Sequence, residues 1–241
     1  MEKKVKYMFI IVGAGGTGSL LARDLPKLLI DTNHKMLLID GDIVEKKNLK
    51  RQSYQEQDIK ENKAVALSSK INSFYDVNCE ALPKYLTGNE IIEYVRNTDT
   101  SAKLNILNTY EDYIEITPVI IGCVDNNVTR KILERNYKEL IKERNCYYLD
   151  SGNGEYEGNI YIKFKNEFGE QGALRSEVYQ YSEDLHPLEE SCEAQASQGN
   201  VQYLVTNNKM ANYLLEHLHA LLTDELKGGI QNVERFGSVF Y

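Results

Sequence analysis

Closely spaced glycines near the start of the chain are the first feature that could perform chemistry: Gly13, Gly15, Gly16 and Gly18. The apolar run 7–12 precedes them, and a helix-like stretch, 19–25, follows. A strand that ends in a glycine turn and opens into a helix points backbone N–H groups and the positive end of the helix dipole at one place, where a phosphate can bind. Glycine lets the backbone approach that phosphate closely. The turn therefore predicts a nucleotide site, without deciding which nucleotide it binds.

Asp40 ends a second short apolar run, 35–39, about twenty residues beyond the last glycine of the turn. In dinucleotide-binding folds a carboxylate at this position accepts hydrogen bonds from the ribose hydroxyls. The alternative is that Asp40 is only a turn residue before Gly41. Asp42 begins the polar loop that follows, and it is the weaker candidate for the ribose.

Lys63 is unusual because it lies on the apolar face of a predicted helix. Asp58 and Glu61 form the pattern of a capping box, which predicts a helix from 58 to about 74 with Asp58 as its N-cap. Apolar residues at helical spacing lie on both sides of Lys63. Its ammonium could bind an anionic ligand, or its stem could cover apolar surface while the charge reaches water. Both interpretations stay open at this point.

Asp125 follows the clearest central strand, 118–124. Because ligands bind at the carboxyl ends of parallel strands, we expect Asp40 and Asp125 to meet there, near side chains that can donate to phosphate. Those side chains are Asn48, Arg51, Gln52 and Lys63. Nucleotidyl transfer uses such cations, and a carboxylate that holds Mg²⁺, whereas a dehydrogenase does not need them. Taken alone, Asp125 could equally be the N-cap of a helix.

Strands and helices alternate over residues 1–150, which predicts a Rossmann-like α/β fold with a mostly parallel sheet and helices on both faces. Period-two alternation in 159–164 predicts that antiparallel strands extend the sheet in the C-terminal half. No linker interrupts the chain. We therefore expect a single domain, 1–241, made of a nucleotide-binding half, 1–150, and a partner-binding half, 151–241.

Two stretches of the chain have less regular patterns. Residues 87–116 predict a short helix followed by a loop at 98–101, where polar residues cluster. Another helix is expected from 198 to about 222, and the tail could add edge strands.

The formal net charge of −8 at pH 7 disfavours binding to nucleic acid or to an anionic membrane. No apolar run approaches the roughly 20 residues of a membrane span. The apolar segment before the glycine turn indicates a first strand rather than a signal peptide. The 4 cysteines form no Cys-x-x-Cys pair, which is typical of a cytoplasmic protein with reduced thiols.

Linked motifs follow one another in the order and spacing of a known family: 13–18, 40–45, 48–52, 58–59 with 63–64, and 123–126. On these motifs the chain resembles the ThiF/MoeB/HesA family, the ubiquitin-activating-enzyme-like adenylyltransferases. In the second half, 150–155 and 191–194 resemble the ThiF-like proteins of plasmid-borne PRTRC systems.

The resemblance implies ATP-dependent adenylation of the C-terminal glycine carboxylate of a small ubiquitin-like protein, with release of pyrophosphate. The implied contacts are Asp40 with the ribose, the glycine turn and Asn48 with the nucleotide, Arg51, Gln52 and Lys63 with the phosphates, and Asp125 with Mg²⁺. Arg51, Lys63 and Asp125 would then be the catalytic residues. The polypeptide tail would lie in an extended cleft over the second half. Because family members are commonly dimers, a homodimer is implied.

The chain departs from the family pattern in three ways. Paired Cys-x-x-Cys zinc sites are missing, so no structural zinc is expected. Family members often carry an N-terminal helix whose arginine enters the partner subunit's site. This sequence has no arginine before Arg23, so adenylation would be slower, use another cation, or be lost. Relatives that form a thioester use a cysteine in the crossover region, for which Cys192 is the candidate. Acidic neighbours oppose its thiolate: Asp184, Glu189, Glu190 and Glu193.

Other functions remain in competition. A non-catalytic nucleotide-binding scaffold of the same fold is favoured by the missing arginine. Adenylation of a tRNA-linked or small-molecule carboxylate would use the same site, although the acidic charge argues against tRNA. A nicotinamide-dependent oxidoreductase is disfavoured by Arg51, Lys63 and Asp125.

Overall fold

A twisted sheet forms the centre of the computed structural model, which describes residues 5–109, 116–182, 186–188 and 204–241. The strands are β1 (Lys6–Val12), β2 (Lys35–Ile39), β3 (Asn78–Leu82), β4 (Ile116–Gly122), β5 (Cys146–Asn153), β6 (Gly158–Asn166), β7 (Gly169–Gly172), β8 (Gly229–Glu234) and β9 (Gly237–Phe240). Their spatial order is β3-β2-β1-β4-β5-β6-β8-β9, with β7 paired to β6. The first five strands are parallel, and the later ones pair antiparallel.

Helices cover both faces of this sheet. They are α1 (Gly16–Asp24), α2 (Pro26–Leu29), α3 (Lys63–Phe74), α4 (Glu90–Thr109), α5 (Asn127–Leu140), α6 (Arg175–Val178) and α7 (Leu204–Leu222), with 3₁₀ helices at Lys46–Lys50 and Glu56–Asp58. Residues of α1, α3 and α7 share one apolar core with alternate residues of β1, and residues of α4 and α5 share a second core with the other residues of β1. A central strand covered on both faces must be apolar throughout, as the run 7–12 is. The predicted Rossmann-like fold is confirmed.

The expected loop at 98–101 is wrong, because α4 runs through it. The Thr98 and Thr100 hydroxyls donate to the carbonyls of Tyr94 (2.8 Å) and Arg96 (2.9 Å), one helical turn earlier. Asp99 is buried and forms an ion pair with Arg144, which follows α5. The polar groups that suggested a loop are thus satisfied by the helix backbone and by a distant partner. None of the described helices has the length and apolar character needed to cross a membrane.

The predicted N-cap of α3 is also wrong. Asp58 instead closes a 3₁₀ turn by accepting from the N–H of Gln55 (2.6 Å), and it pairs with Lys70. Lys60 has a positive φ of 77°, which a helix cannot accommodate, and its N–H donates to Val44 (2.9 Å). α3 therefore begins only at Lys63, after the N-cap Asn62.

Candidate functional site

The glycine turn joins β1 to α1 and packs against the end of β4. Gly13 has φ +90°, and a Cβ placed on it would lie 2.6 Å from the carbonyl oxygen of Cys123. A Cβ on Gly18 would lie 1.8 Å from the carbonyl oxygen of Gly13. These two glycines are therefore required for the turn to close on itself and on the β4–α5 loop.

The other two glycines of the turn have different surroundings. A Cβ on Gly16 would lie 2.3 Å from Nδ2 of Asn207, a buried residue of α7. Among the described residues, no atom would lie within 4 Å of a Cβ on Gly15. Gly15 is the N-cap of α1, and its cap involves no side-chain hydrogen bond from the described part of the chain. Within the described parts of the chain, the N–H groups of the first turn of α1 therefore adjoin open space at Gly15, as an anion site requires. At Gly16 the packing of α7 already accounts for the missing side chain.

Asp40 connects the glycine turn to the turn after β2. Its Oδ2 accepts from the N–H of Ala14 (2.6 Å), and its Oδ1 accepts from the N–H of Asp42 (2.7 Å). Burial raises the pKa of Asp40, and the nearby charge of Lys63 opposes that effect. A carboxylate has about four acceptor positions, so two remain after these bonds. Those two could accept from ribose hydroxyls beside the glycine turn.

Lys63 begins α3, and its ammonium lies beside the carboxyl ends of the parallel strands, the place called here the mouth of the sheet. The side chain is 8% exposed, and Nζ lies 2.7 Å from Oδ2 of Asp42. The hydroxyl of Tyr85 donates to the other oxygen of Asp42. Burial alone would raise the pKa of Asp42, but Lys63 and Tyr85 together lower it below its ordinary value. The side chain is therefore mostly buried, and its charge acts on both Asp40 and Asp42.

Asn62 orients the pair formed by Lys63 and Asp42. The sequence interpretation did not identify Asn62 as a residue of the site. Its Oδ1 accepts from the N–H groups of Ala64 (2.9 Å) and Val65 (3.2 Å), which caps α3. Its Nδ2 donates to the carbonyls of Asp40 (2.9 Å) and Asp42 (3.0 Å). One side chain thus fixes both the helix that carries Lys63 and the turn that carries the carboxylates. The available signal was an Asn immediately before the apolar residues of a helix.

We expect Asn62→Ala to lower the free energy of unfolding by about 1–3 kcal/mol, because it removes a helix cap and the Nδ2 donor of the Asp40 carbonyl. Asn62→Ser can still cap the helix but cannot donate to both carbonyls, so its stability should fall between those of Asn62→Ala and the wild type. Urea denaturation of the three proteins measures this. Equal stability of Asn62→Ala and the wild type would contradict the role given to this side chain.

The segment 48–54 lies beside the glycine turn. The N–H of Ser53 donates to the hydroxyl of Ser19 (3.0 Å), and the hydroxyl of Tyr54 donates to the carbonyl of Ala14 (2.7 Å). Asn48 is buried, and its Oδ1 accepts from the N–H of Glu45 (2.8 Å), so it fixes the local 3₁₀ helix. In the same segment Oε1 of Gln52 is buried without a hydrogen-bond partner in the described structure.

Arg51 is half-buried at the C-cap of the 3₁₀ helix 46–50. In the described part of the chain its guanidinium forms no ion pair and no hydrogen bond. The contacts of Ser53 and Tyr54 keep this part of the backbone against α1 and the glycine turn. Arg51 is therefore an unpaired cation, among the described residues, in a segment that lies against that turn.

Asp125 lies in the loop that packs against Gly13. The N-cap of α5 is its neighbour Asn126, whose Oδ1 accepts from the N–H of Thr129 (2.8 Å), so the interpretation of Asp125 as the N-cap is wrong. Asp125 is exposed, and its side chain forms no hydrogen bond or ion pair with the described residues. Its charge acts on Tyr85, whose pKa is raised first by burial and then by Asp42, with further effects of Asp40 and Asp125. Three carboxylates thus act on Tyr85, a residue that no sequence pattern had indicated.

The cysteines contribute no reactive thiolate to the described site. Burial raises the pKa of Cys79 to about 12, and it also raises the pKa values of Cys123 and Cys146. Cys192 lies outside the described residues. Within the described ranges no three His, Cys, Asp or Glu side chains are grouped as a metal site would need.

Solved structures with the same fold include PaaA, with a TM-score of 0.61 and 17% identity over 98% of this chain and 63% of PaaA. Another is the microcin C7 biosynthetic enzyme MccB in complex with N-formylated MccA, with a TM-score of 0.62 and 13% identity over 97% of this chain and 63% of MccB. E. coli MccB with ATP has a TM-score of 0.57 and 13% identity, covering 97% and 62% of the two chains. The chain thus spans about 63% of the length of the solved proteins it matches.

Comparison with curated proteins finds no significant match. A sequence model of the ThiF family matches residues 1–225. That range contains the glycine turn, Asp40, Lys63 and Asp125. The chain belongs to the ThiF family.

Proposed function

We propose that this chain transfers an adenylyl group from ATP to the C-terminal carboxylate of a small protein or peptide. Membership of the ThiF family supports the proposal, and so does the fold shared with MccB, which has been solved with ATP and with MccA. The observation that carries it is the convergence of Lys63 and the Asp125 loop on the glycine turn beside Asp40. A fold that only bound a dinucleotide would need the turn and Asp40 alone.

In the proposed reaction a carboxylate oxygen of the substrate attacks the α-phosphorus of ATP. A new P–O bond forms, the bond from the α-phosphorus to the bridging oxygen breaks, and its electron pair leaves with pyrophosphate. No proton moves in this step. Asp40 would hold the ribose, while the first-turn N–H groups of α1, Arg51 and Lys63 would stabilise charge on the phosphate oxygens. Gln52 would offer its amide beside them.

The mouth of the sheet fits a divalent cation bound with the nucleotide. Asp40, Asp42 and Asp125 are three carboxylates, and Lys63 and Arg51 are two cations, so a divalent cation would reduce the repulsion of a triphosphate here. Mg²⁺ usually binds one or two carboxylates together with substrate phosphates, and the exposed Asp125 can serve as such a ligand. When bound, Mg²⁺ would neutralise charge on the phosphates.

For the substrate, we propose a small ubiquitin-like protein that ends in glycine, because a residue without a side chain can bring its carboxylate closest to the α-phosphate. The active form would be a homodimer in the cytoplasm, of the PRTRC-associated branch. Thioester formation at Cys192, by attack of its thiolate on the acyl adenylate with AMP as leaving group, would be a later step.

The test is carboxylate-dependent exchange of labelled pyrophosphate into ATP. The full chain is incubated with Mg²⁺, ATP and glycine-terminated small proteins encoded beside its gene. Exchange with one of them, lost when its C-terminal glycine is removed, is the expected result. If the chain binds ATP but no candidate gives exchange, the proposed enzymatic activity is contradicted and a nucleotide-binding scaffold is favoured.

Arg51→Ala should reduce this exchange about a hundredfold, since it removes a cation that stabilises developing phosphate charge. The melting temperature should stay unchanged because Arg51 has no ion pair to lose among the described residues. The exposed neighbour Lys50 gives the matched control, and Lys50→Ala should keep wild-type exchange. Equal exchange rates in both variants would exclude Arg51 from the site.

A further inference from the structure

Asp150 lies in β5 with its side chain fully buried between two arginines. Nε of Arg130 lies 3.3 Å from Oδ1 of Asp150, and Nε of Arg175 donates to Oδ2. The arginines are 8% and 7% exposed. Burial of a guanidinium requires a partner charge and nearly complete hydrogen bonding, so this cluster holds all three groups in fixed positions.

The two arginines differ in what else they contact. Nη2 of Arg130 donates to the carbonyl of Val124 (2.5 Å), and Nη1 donates to Oδ1 of Asn127 (3.3 Å). Arg130 thus binds the residue immediately before Asp125 and the second residue after it.

Arg175 has different hydrogen-bond partners. It donates to Oδ1 of Asn159 (2.7 Å) and to the carbonyl of Asp150 (3.3 Å), and its guanidinium lies 4.4 Å from the centre of the Tyr161 ring. Both arginines therefore stabilise the same carboxylate, but of the two only Arg130 contacts the loop that carries Asp125.

The direction of the Asp125 carboxylate depends on this loop. The side chain of Asp125 has no described partner of its own, so its position follows from the backbone at 124–126. One end of that backbone is fixed by the Asn126 cap, and the carbonyl of Val124 is fixed by Arg130. A guanidinium has the rigid fork needed to bind Asp150 and Val124 together, which a lysine ammonium lacks.

We propose that Arg130, held by Asp150, is a positioning residue that fixes the Asp125 carboxylate for the metal-bound triphosphate. The inference rests on the proposed function, since it assigns Asp125 to that site. It goes further because it gives Arg130 a role that Arg175 does not have, although the two side chains have similar burial and share the partner Asp150.

The test compares Arg130→Lys with Arg175→Lys in the full chain. Electron paramagnetic resonance measures the affinity of the chain–ATP complex for Mn²⁺, and calorimetry measures ATP binding without metal. Arg130→Lys should weaken Mn²⁺ binding at least tenfold while metal-free ATP binding changes less than twofold. Both variants should lower the melting temperature to a similar extent. Arg175→Lys, however, should change Mn²⁺ affinity less than twofold. Equal loss of Mn²⁺ affinity in both variants, or none in Arg130→Lys, would overturn the inference.

A milder variant covers the case in which Arg130→Lys does not fold. Asn127→Ala removes one acceptor of the Arg130 guanidinium and should weaken Mn²⁺ binding about threefold. Because Asn127 also donates to Ser182 (2.8 Å), Ser182→Ala is its control and should leave Mn²⁺ affinity unchanged. An unchanged affinity in Asn127→Ala, or equal losses in both, would overturn the inference. Failure of pyrophosphate exchange in the wild type would overturn the proposed function instead, while the Mn²⁺ comparison still decides the role of Arg130.

Discussion

Asp125→Ala should reduce carboxylate-dependent pyrophosphate exchange about a thousandfold, because the carboxylate is proposed to hold the cation that neutralises the phosphates. The free energy of unfolding should change by less than about 0.5 kcal/mol. Asp125 is exposed, has no described partner, and does not cap α5, since Asn126 does. A large catalytic effect without loss of stability is the signature of a residue that acts on the ligand.

Two further variants make this result specific. Asp125→Asn keeps the shape of the side chain but not its charge, so it should lose nearly as much exchange as Asp125→Ala. Asp76→Ala removes another exposed carboxylate, which precedes β3 at the amino ends of the parallel strands, away from the site. The Asp76→Ala variant should keep the wild-type rate of pyrophosphate exchange. Substantial exchange in Asp125→Asn would show that the charge at this position is not used.

Gly18→Ala should destabilise the protein by more than about 3 kcal/mol and abolish ATP binding, because the new Cβ would lie 1.8 Å from the backbone oxygen of Gly13. Backbone on both sides must move to relieve that overlap. The movement would break the turn that joins β1 to α1 and would separate it from Cys123. Thermal unfolding and calorimetric titration with ATP measure the two effects.

Gly15→Ala is the matched control, and it separates folding from ligand binding. No atom of the described residues lies within 4 Å of the added methyl group, so the loss of stability should stay below about 1 kcal/mol. ATP affinity should still fall at least tenfold, because the methyl group would occupy the space beside the first-turn N–H groups of α1. Wild-type ATP affinity in Gly15→Ala would place the phosphates elsewhere.

Local patterns were sufficient for the strand, turn and helix around Gly13 and for the alternation that produces the parallel sheet. They were insufficient where several residues could play one local role. Asp58 and Asn62 both have side chains that cap helices. The choice between them shows only in the folded loop, where Lys60 has a positive φ and donates its N–H to the carbonyl of Val44. Sequence spacing contains no information about that contact.

The sequence by itself determined the nucleotide-type turn, the ribose carboxylate candidate Asp40 and the alternation of strands and helices, because each depends on residues that are close in the chain. The tertiary structure alone decided which groups surround them. It placed Asp42 on Lys63, Asn207 against Gly16, and Arg130 between Asp150 and the Asp125 loop. These contacts join residues far apart in sequence, and they form only when the sheet has brought the ends of its strands together.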